Sequence, residues 1–148
     1  MLFRSVTSAG IEMLLTDLTN LWDALSGKDV GTKFTVVDDK KPSRALWLEY
    51  ASTPRGKLIL DAGAVTAIIE RGVSLLPAGV TKVEGTFSAG DTVELVSQDG
   101  RVIAKGLVAH DSDEIPQLLG KSTKDLASEL GAEYERELVH RDDLVLLV

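Results

Sequence analysis

The sequence predicts an α+β fold: a small mixed β-barrel with short helices over residues 54–148, preceded by a partial α/β segment. Three observations predict it. From Gly56 onward, short apolar runs alternate with glycine-containing turns. Helical spacing is confined to brief stretches such as Val65, Ile68 and Ile69. The pair Asp99-Gly100 marks a tight hairpin between two β-like runs.

Residues 1–37 read as a strand, a helix and a strand piece. Ile11 to Leu15 is an apolar run that predicts a buried strand. Asp17 and Thr19 offer caps for a helix through Leu21, Trp22 and Leu25, and Gly27 stops it. A short strand follows near Phe34. Strands of this kind are normally covered on both faces by helices, so an uncovered apolar strand here predicts self-association. Residues 38–53 begin with the polar run Asp38-Asp39-Lys40-Lys41-Pro42-Ser43 and read as a linker, with a short helix or turn around Ala45–Leu48.

Residues 54–148 read as one unit. Gly56 precedes a strand over Lys57–Leu60, and Asp61 caps a helix that Gly72 ends. Val80–Phe87 and Thr92–Ser97 are strands on either side of the turn Ser88-Ala89-Gly90-Asp91. A two-residue type I′ turn at Asp99-Gly100 sets a register in which Gln98 faces Arg101, Val96 faces Ile103 and Glu94 faces Lys105. Asp111, Ser112 and Asp113 start a helix holding Ile115, Leu118 and Leu119, with Pro116 in its first turn. Ser122-Thr123-Lys124-Asp125 has a capping-box pattern, and Gly131 closes the helix after it. Leu138–Val139 and Leu144–Val148 are closing strands around the turn His140-Arg141-Asp142-Asp143.

Composition narrows the functions. With 44% apolar but 5% aromatic residues, the core must be largely aliphatic. No cysteine is present, which excludes a disulfide scaffold, a thiolate metal site and a cysteine nucleophile. No apolar run reaches the ~18 residues of a membrane span, so a soluble cytoplasmic protein is expected. The net charge is −7, whereas a non-specific phosphate-backbone binder is normally basic. The excess sits at one end: residues 107–148 carry ten acidic and four basic groups, while residues 54–106 carry six of each. An anionic partner is expected at the neutral middle.

Chemistry-bearing motifs are incomplete. Gly120-Lys121-Ser122 resembles part of a phosphate loop, but Ile115 stands where the full pattern needs a glycine. His140-Arg141-Asp142 resembles a protein-kinase catalytic loop, but Leu147 occupies the asparagine position and the chain ends one residue later. His110 and His140 belong to no triad or ligand cluster and read as structural. Asp142-Asp143 reads as a solvated turn. No catalytic residue and no metal ligand is assigned, and no cofactor is expected for this chain.

The run from Gly63 to Gly72, then Ser74-Leu75-Leu76-Pro77-Ala78-Gly79-Val80, resembles the PUA domain at the end of bacterial glutamate 5-kinases. So do Val83-Glu84-Gly85-Thr86-Phe87, Gly90-Asp91, Gly100-Arg101, Gly106-Leu107 and the ending Val139-His140-Arg141-Asp142-Asp143-Leu144. Upstream, Ala9-Gly10-Ile11 and Gly31-Thr32 with Phe34 resemble the last strand-helix-strand of an amino-acid kinase domain. The resemblance implies a PUA-type barrel at 54–148 after an amino-acid kinase-like remnant at 1–37. It implies a parent enzyme that phosphorylates L-glutamate with ATP and magnesium, in proline biosynthesis. The family's glycine-rich, lysine-bearing segment and its nucleotide segment have no counterpart here, so a truncated, non-catalytic accessory module is expected.

PUA domains of RNA-modifying enzymes bind RNA, through the first helix and the loop after it. By that resemblance the candidate surface is Gly63–Arg71 and Gly72–Val80, with Arg71 and Lys82 meeting phosphates and Lys57 at the edge. Ser74 and Gly79 lie on the loop, whose backbone N–H groups would add hydrogen bonds. Against this reading, Leu75-Leu76-Pro77 could plug the barrel, and Arg71 could pair with Glu70 or Glu84. The expected partners are structured RNA, and the missing kinase domain or a second copy at the N-terminal remnant.

Overall fold

A computed structural model describes residues 6–7, 9–36, 43–121, 126, 128, 131 and 136–148. The capping-box run at 122–125 and most of the 38–43 connection lie outside the described residues. The chain divides into two compact units, Met1–Tyr50 and Ala51–Val148.

In the first unit, β1 (Met13–Leu15) pairs antiparallel with β2 (Thr32–Phe34), so that Leu14 faces Lys33. Between them lies α1 (Leu21–Leu25). Its cap position is Asn20, and the Asp17 carboxylate acts one step earlier by accepting the Asn20 N–H at 2.9 Å. Gly27 follows the helix with φ of 83°, a conformation open to a residue without Cβ. The expectation of a buried strand fails. Leu14 and Leu15 are 41% and 52% exposed, and α1 buries no residue. A two-stranded sheet has no second layer of its own to cover it. The unit continues through α2 (Ser43–Leu46) and into a π-helical turn, Trp47–Ala51.

The second unit is built on a mixed five-stranded sheet in the order β4-β3-β5-β6-β7. Its strands are β3 (Gly56–Leu60), β4 (Val80–Gly85), β5 (Thr92–Ser97), β6 (Val102–Val108) and β7 (Val139–Leu146). β3 and β5 are parallel, and the other neighbours are antiparallel. The ten-residue helix α3 (Ala62–Arg71) and a 3-10 turn (Pro77–Gly79) connect β3 to β4. Leu75 makes a bridge to Val139, which ties the loop after α3 to β7. The short helix α4 (Ile115–Leu118) packs against β4 and the 3-10 turn. Pro116 sits in its first turn, where a missing N–H costs nothing, and Ile115 and Leu118 are buried.

The core is aliphatic, as the composition requires. Leu58, Leu60, Ile68, Leu75, Leu95, Ile103, Ile115 and Leu118 are essentially inaccessible, and among the described residues Phe87 is the one aromatic ring of the buried cluster. In α3, Ile68 faces this core and Val65 packs at its border, whereas Ile69 remains exposed. The helical spacing therefore located the helix but overstated its buried face by one residue.

The Asp99-Gly100 hairpin is real, but its turn differs from the two-residue type I′ expected. Asp99 has negative φ, and the positive angle belongs to Gly100 alone, at 85°. The Gly100 N–H donates to Ser97 O at 2.9 Å and the Ser97 N–H to Arg101 O at 2.9 Å. This is a three-residue loop ending in a glycine bulge. The extra residue moves the register: Glu94 still faces Lys105, but Val96 faces Val102 rather than Ile103. The second correction concerns the closing strands. β7 runs continuously from Val139 to Leu146, and residues 140–143 bulge from it where β6 advances only from Gly106 to Val108. Gly106 permits this: a Cβ there would collide with the Val139 side chain.

Candidate nucleic-acid interface

Directly after β3, Asp61 is extended (φ −73°, ψ 167°) and stands at the cap position of the next helix. Its carboxylate accepts the Ala64 N–H at 2.7 Å and starts α3. At the other end, Gly72 is left-handed (φ 57°, ψ 39°) and its N–H returns to Ile68 O, closing the last turn. α3 is thereby fixed in length, with Arg71 exposed at its C-terminus. The cation there is also favoured by the helix dipole.

The 3-10 turn packs against the start of this helix. Gly79 O accepts the Asp61 N–H at 3.0 Å, and a Cβ on Gly79 would lie 2.6 Å from the Ala64 methyl. Between helix and turn lies an open groove of about 290 Å³ lined by Asp61, Gly63, Ala64, Ala67, Leu76 and Gly79 among others. Its walls are small and largely apolar, so a flat or extended ligand can approach the backbone closely.

The five candidate residues do not form one basic patch. Arg71 and Ser74 lie at the C-terminal end of α3 and the loop after it. Gly79 lines the groove, but it is a packing residue whose N–H already donates to Leu76 O at 3.1 Å. Leu75 N–H is likewise used, by Val139 O at 2.8 Å. Fewer loop N–H groups are therefore open to a ligand than expected. Leu75 and Pro77 are buried, as the plug reading has it, but Leu76 is exposed on the groove.

Lys57 and Lys82 lie on the sheet. Lys57 approaches Glu94 at 3.4 Å, and Lys82 holds Glu84 at 2.7 Å. The Lys82 hydrogen bond and charge, with a smaller contribution from Lys57, keep the Glu84 carboxyl below its usual range. The register makes this a row: Glu84, Lys57, Glu94 and Lys105 stand opposite one another on four adjacent strands. Alternating charge of this kind neutralises the lysines towards a polyanion. Glu84 is held by Lys82, and no ion pair to Arg71 occurs among the described residues.

One contact escaped sequence reasoning. The Arg141 N–H donates to Ser74 Oγ at 3.0 Å, bringing the bulge of β7 to the loop after α3. His140 and Arg141 are both exposed there, and Asp142 lies within 3.7 Å of each. The partners are 67 residues apart, so no local pattern signals the contact. Among the described residues no cluster of histidine and carboxylate groups could hold a metal ion, and no helix is long and apolar enough to cross a membrane.

Comparison with known proteins places these features in a family. The PUA domain matches residues 56–130, which is half of the chain and includes β3, α3, the glycine turn and the groove. Over 144 residues the chain is 57% identical to a glutamate 5-kinase of Streptomyces avermitilis, covering 97% of this chain and 38% of that protein. A glutamate 5-kinase of Frankia casuarinae is 54% identical over 145 residues, covering 98% and 39%. The chain thus spans well under half the length of these relatives. A solved PUA domain from Aeropyrum pernix K1 is 26% identical, with a TM-score of 0.44 over 59% of this chain and 41% of that one. The chain belongs to the PUA domain family, in the form that makes up the C-terminal part of glutamate 5-kinases.

Proposed function

We propose that the chain is a C-terminal accessory module of a cytoplasmic glutamate 5-kinase, not catalytic by itself, whose α3 groove contacts RNA. The observation that carries the first part is the match itself: nearly all of this chain, but only 38% of the relative, is shared. The groove supports the second part by letting a ligand approach the backbone closely, and Arg71 is exposed at the C-terminal end of the same helix. Arg71 and Ser74 are the phosphate contacts in this reading, Gly79 shapes the groove, and Lys57 and Lys82 act at the edge. The partners are structured RNA and the rest of the kinase. The module itself takes no cofactor, and ATP and magnesium belong to the complete enzyme.

The test is binding to structured RNA across a salt series, beside an Arg71→Glu/Lys82→Glu variant. Binding that weakens with salt and is reduced in the variant supports the reading. No binding at low salt, or equal binding by both proteins, overturns it.

A second reading is favoured by the relatives' shared name: the protein phosphorylates L-glutamate to L-glutamyl 5-phosphate with ATP and magnesium, a step of proline biosynthesis. Phosphoryl transfer needs a phosphate cradle and cations that offset developing charge, and none is assigned in this chain. An ATP and glutamate assay on the polypeptide separates the two, since γ-glutamyl phosphate formation would establish the second.

A further inference from the structure

The α3 groove follows the end of β3, and a second depression lies at the start of the same strand. It measures about 320 Å³ and is lined by Arg55, Gly56, Lys57, Glu84, Gly85 and Glu94 among others. Gly56 and Gly85 stand opposite each other on β3 and β4, and neither brings a side chain. Their bareness is required by close packing. A Cβ on Gly85 would lie 2.7 Å from Arg55 O, and one on Gly56 would strike the Phe87 ring. The Arg55 N–H donates to Thr92 O at 2.8 Å, which carries the pairing of β3 with β5 back by one residue. Arg55 and Lys57, two apart on extended chain, therefore emerge on one face of the sheet. Glu84 and Glu94 flank Lys57 on the neighbouring strands.

Two of these charged groups lack partners to match their charge. The Glu94 side chain is only 22% exposed, yet its carboxylate accepts no hydrogen bond among the described residues. The Lys57 ammonium attracts it from 3.4 Å, farther than a charge-assisted hydrogen bond reaches. A carboxylate so far withdrawn from water calls for a donor. Arg55 is exposed and makes no ion pair among the described residues. Its planar guanidinium suits an incoming carboxylate. A polyanion would meet Glu84 and Glu94, and a plain cation would meet Arg55 and Lys57, so a ligand that satisfies both ends carries both signs. Glu94 is level with Lys57, two residues along from Arg55, which sets the two ends about 6.6 Å apart along the strand. We propose that this pocket binds a small zwitterion whose ammonium and carboxylate are several carbons apart, as in an ω-amino acid. The ammonium donates to Glu94, and the carboxylate accepts from Arg55. Glu84, already held by Lys82, serves as the second negative wall.

The experiment titrates the full, nitrogen-15-labelled chain with 5-aminovalerate and follows the amide signals of Gly56 and Gly85 by NMR. Saturable shifts at these two positions are expected. Glycine, whose two charges share a single carbon, should bind about tenfold more weakly or worse, as should valerate and pentylammonium, which each keep one charge. Arg55→Gln and Glu94→Gln should each weaken 5-aminovalerate by about tenfold. The exposed Arg55 can be replaced without loss of the fold, which circular dichroism checks, so the proposal does not hang on the more buried Glu94. Absence of saturable shifts overturns it. Equal binding of valerate or pentylammonium also overturns it, because one charge would then suffice, and so does unchanged affinity in Arg55→Gln. The site is independent of the RNA reading, since Arg71 and the α3 groove take no part in it.

Discussion

Gly79 and Ala64 touch across the start of α3 so closely that a single added carbon on Gly79 would lie 2.6 Å from the Ala64 methyl. This contact, with the Asp61 N–H bond to Gly79 O, sets the distance between helix and turn and hence the width of the groove. Gly79→Ala should therefore cost about 1–3 kcal/mol, the range for overpacking. Urea denaturation measures it. A stability equal to that of the parent would mean that the turn can move away from the helix freely.

Asp61 starts the helix that the groove depends on. Asp61→Ala removes the acceptor of the Ala64 N–H and should destabilise by about 0.5–2 kcal/mol, while Asp61→Asn keeps most of the cap. The comparison by thermal or urea unfolding isolates the cap from the loss of charge.

Acid should expose the hairpin's local design. The Ser97 hydroxyl, then the Arg101 N–H, bond to the Asp99 carboxylate and hold its pKa below 3.8. A carboxyl whose folded pKa is depressed contributes stability above its unfolded pKa, and that contribution is lost as pH falls through the folded value. Glu84 (below 4.5) and Asp17 (below 3.8) act in the same direction. The loss therefore falls at pH below about 4. Ser97→Ala should raise the Asp99 midpoint towards its ordinary value, which carbon-detected NMR titration reads directly.

RNA binding should depend on Arg71 more than on the sheet lysines. Arg71→Ala should reduce the salt slope by about 1, as for loss of one phosphate contact. Lys57→Ala and Lys82→Ala should change it less, because Glu94 and Glu84 already neutralise those ammonium groups. Equal effects at the three positions in a filter-binding series would show that the carboxylates give way to the polyanion.

The two units should respond differently to truncation of apolar residues. Leu58 is completely buried, and Leu58→Ala should cost about 2–5 kcal/mol. Leu18→Ala, at an 87% exposed position, should stay within about 0.5 kcal/mol in the isolated chain. Light scattering on the parent and on Leu18→Glu/Trp22→Glu then reads what the exposed surface does alone: self-association in the parent, reduced in the variant.

By itself, the sequence determined the elements whose causes are local. Asp61 and Gly72 bound α3 through bonds spanning three or four residues. The strand pattern and the Glu94–Lys105 pair could be read because alternation and a glycine turn act between neighbours in the chain. The sequence also carried the match to its family, through several short blocks in order. The tertiary structure decided what depends on residues far apart. Lys57 meets Glu94 across parallel strands, Arg141 reaches Ser74 from 67 residues away, and β1 is left bare. The physical reason is that periodicity specifies which side of an element is apolar, whereas burial and charge pairing depend on what the rest of the chain brings against that side. A lysine in a string of letters is a cation, and the Glu94 carboxylate on the neighbouring strand turns Lys57 into half of an ion pair.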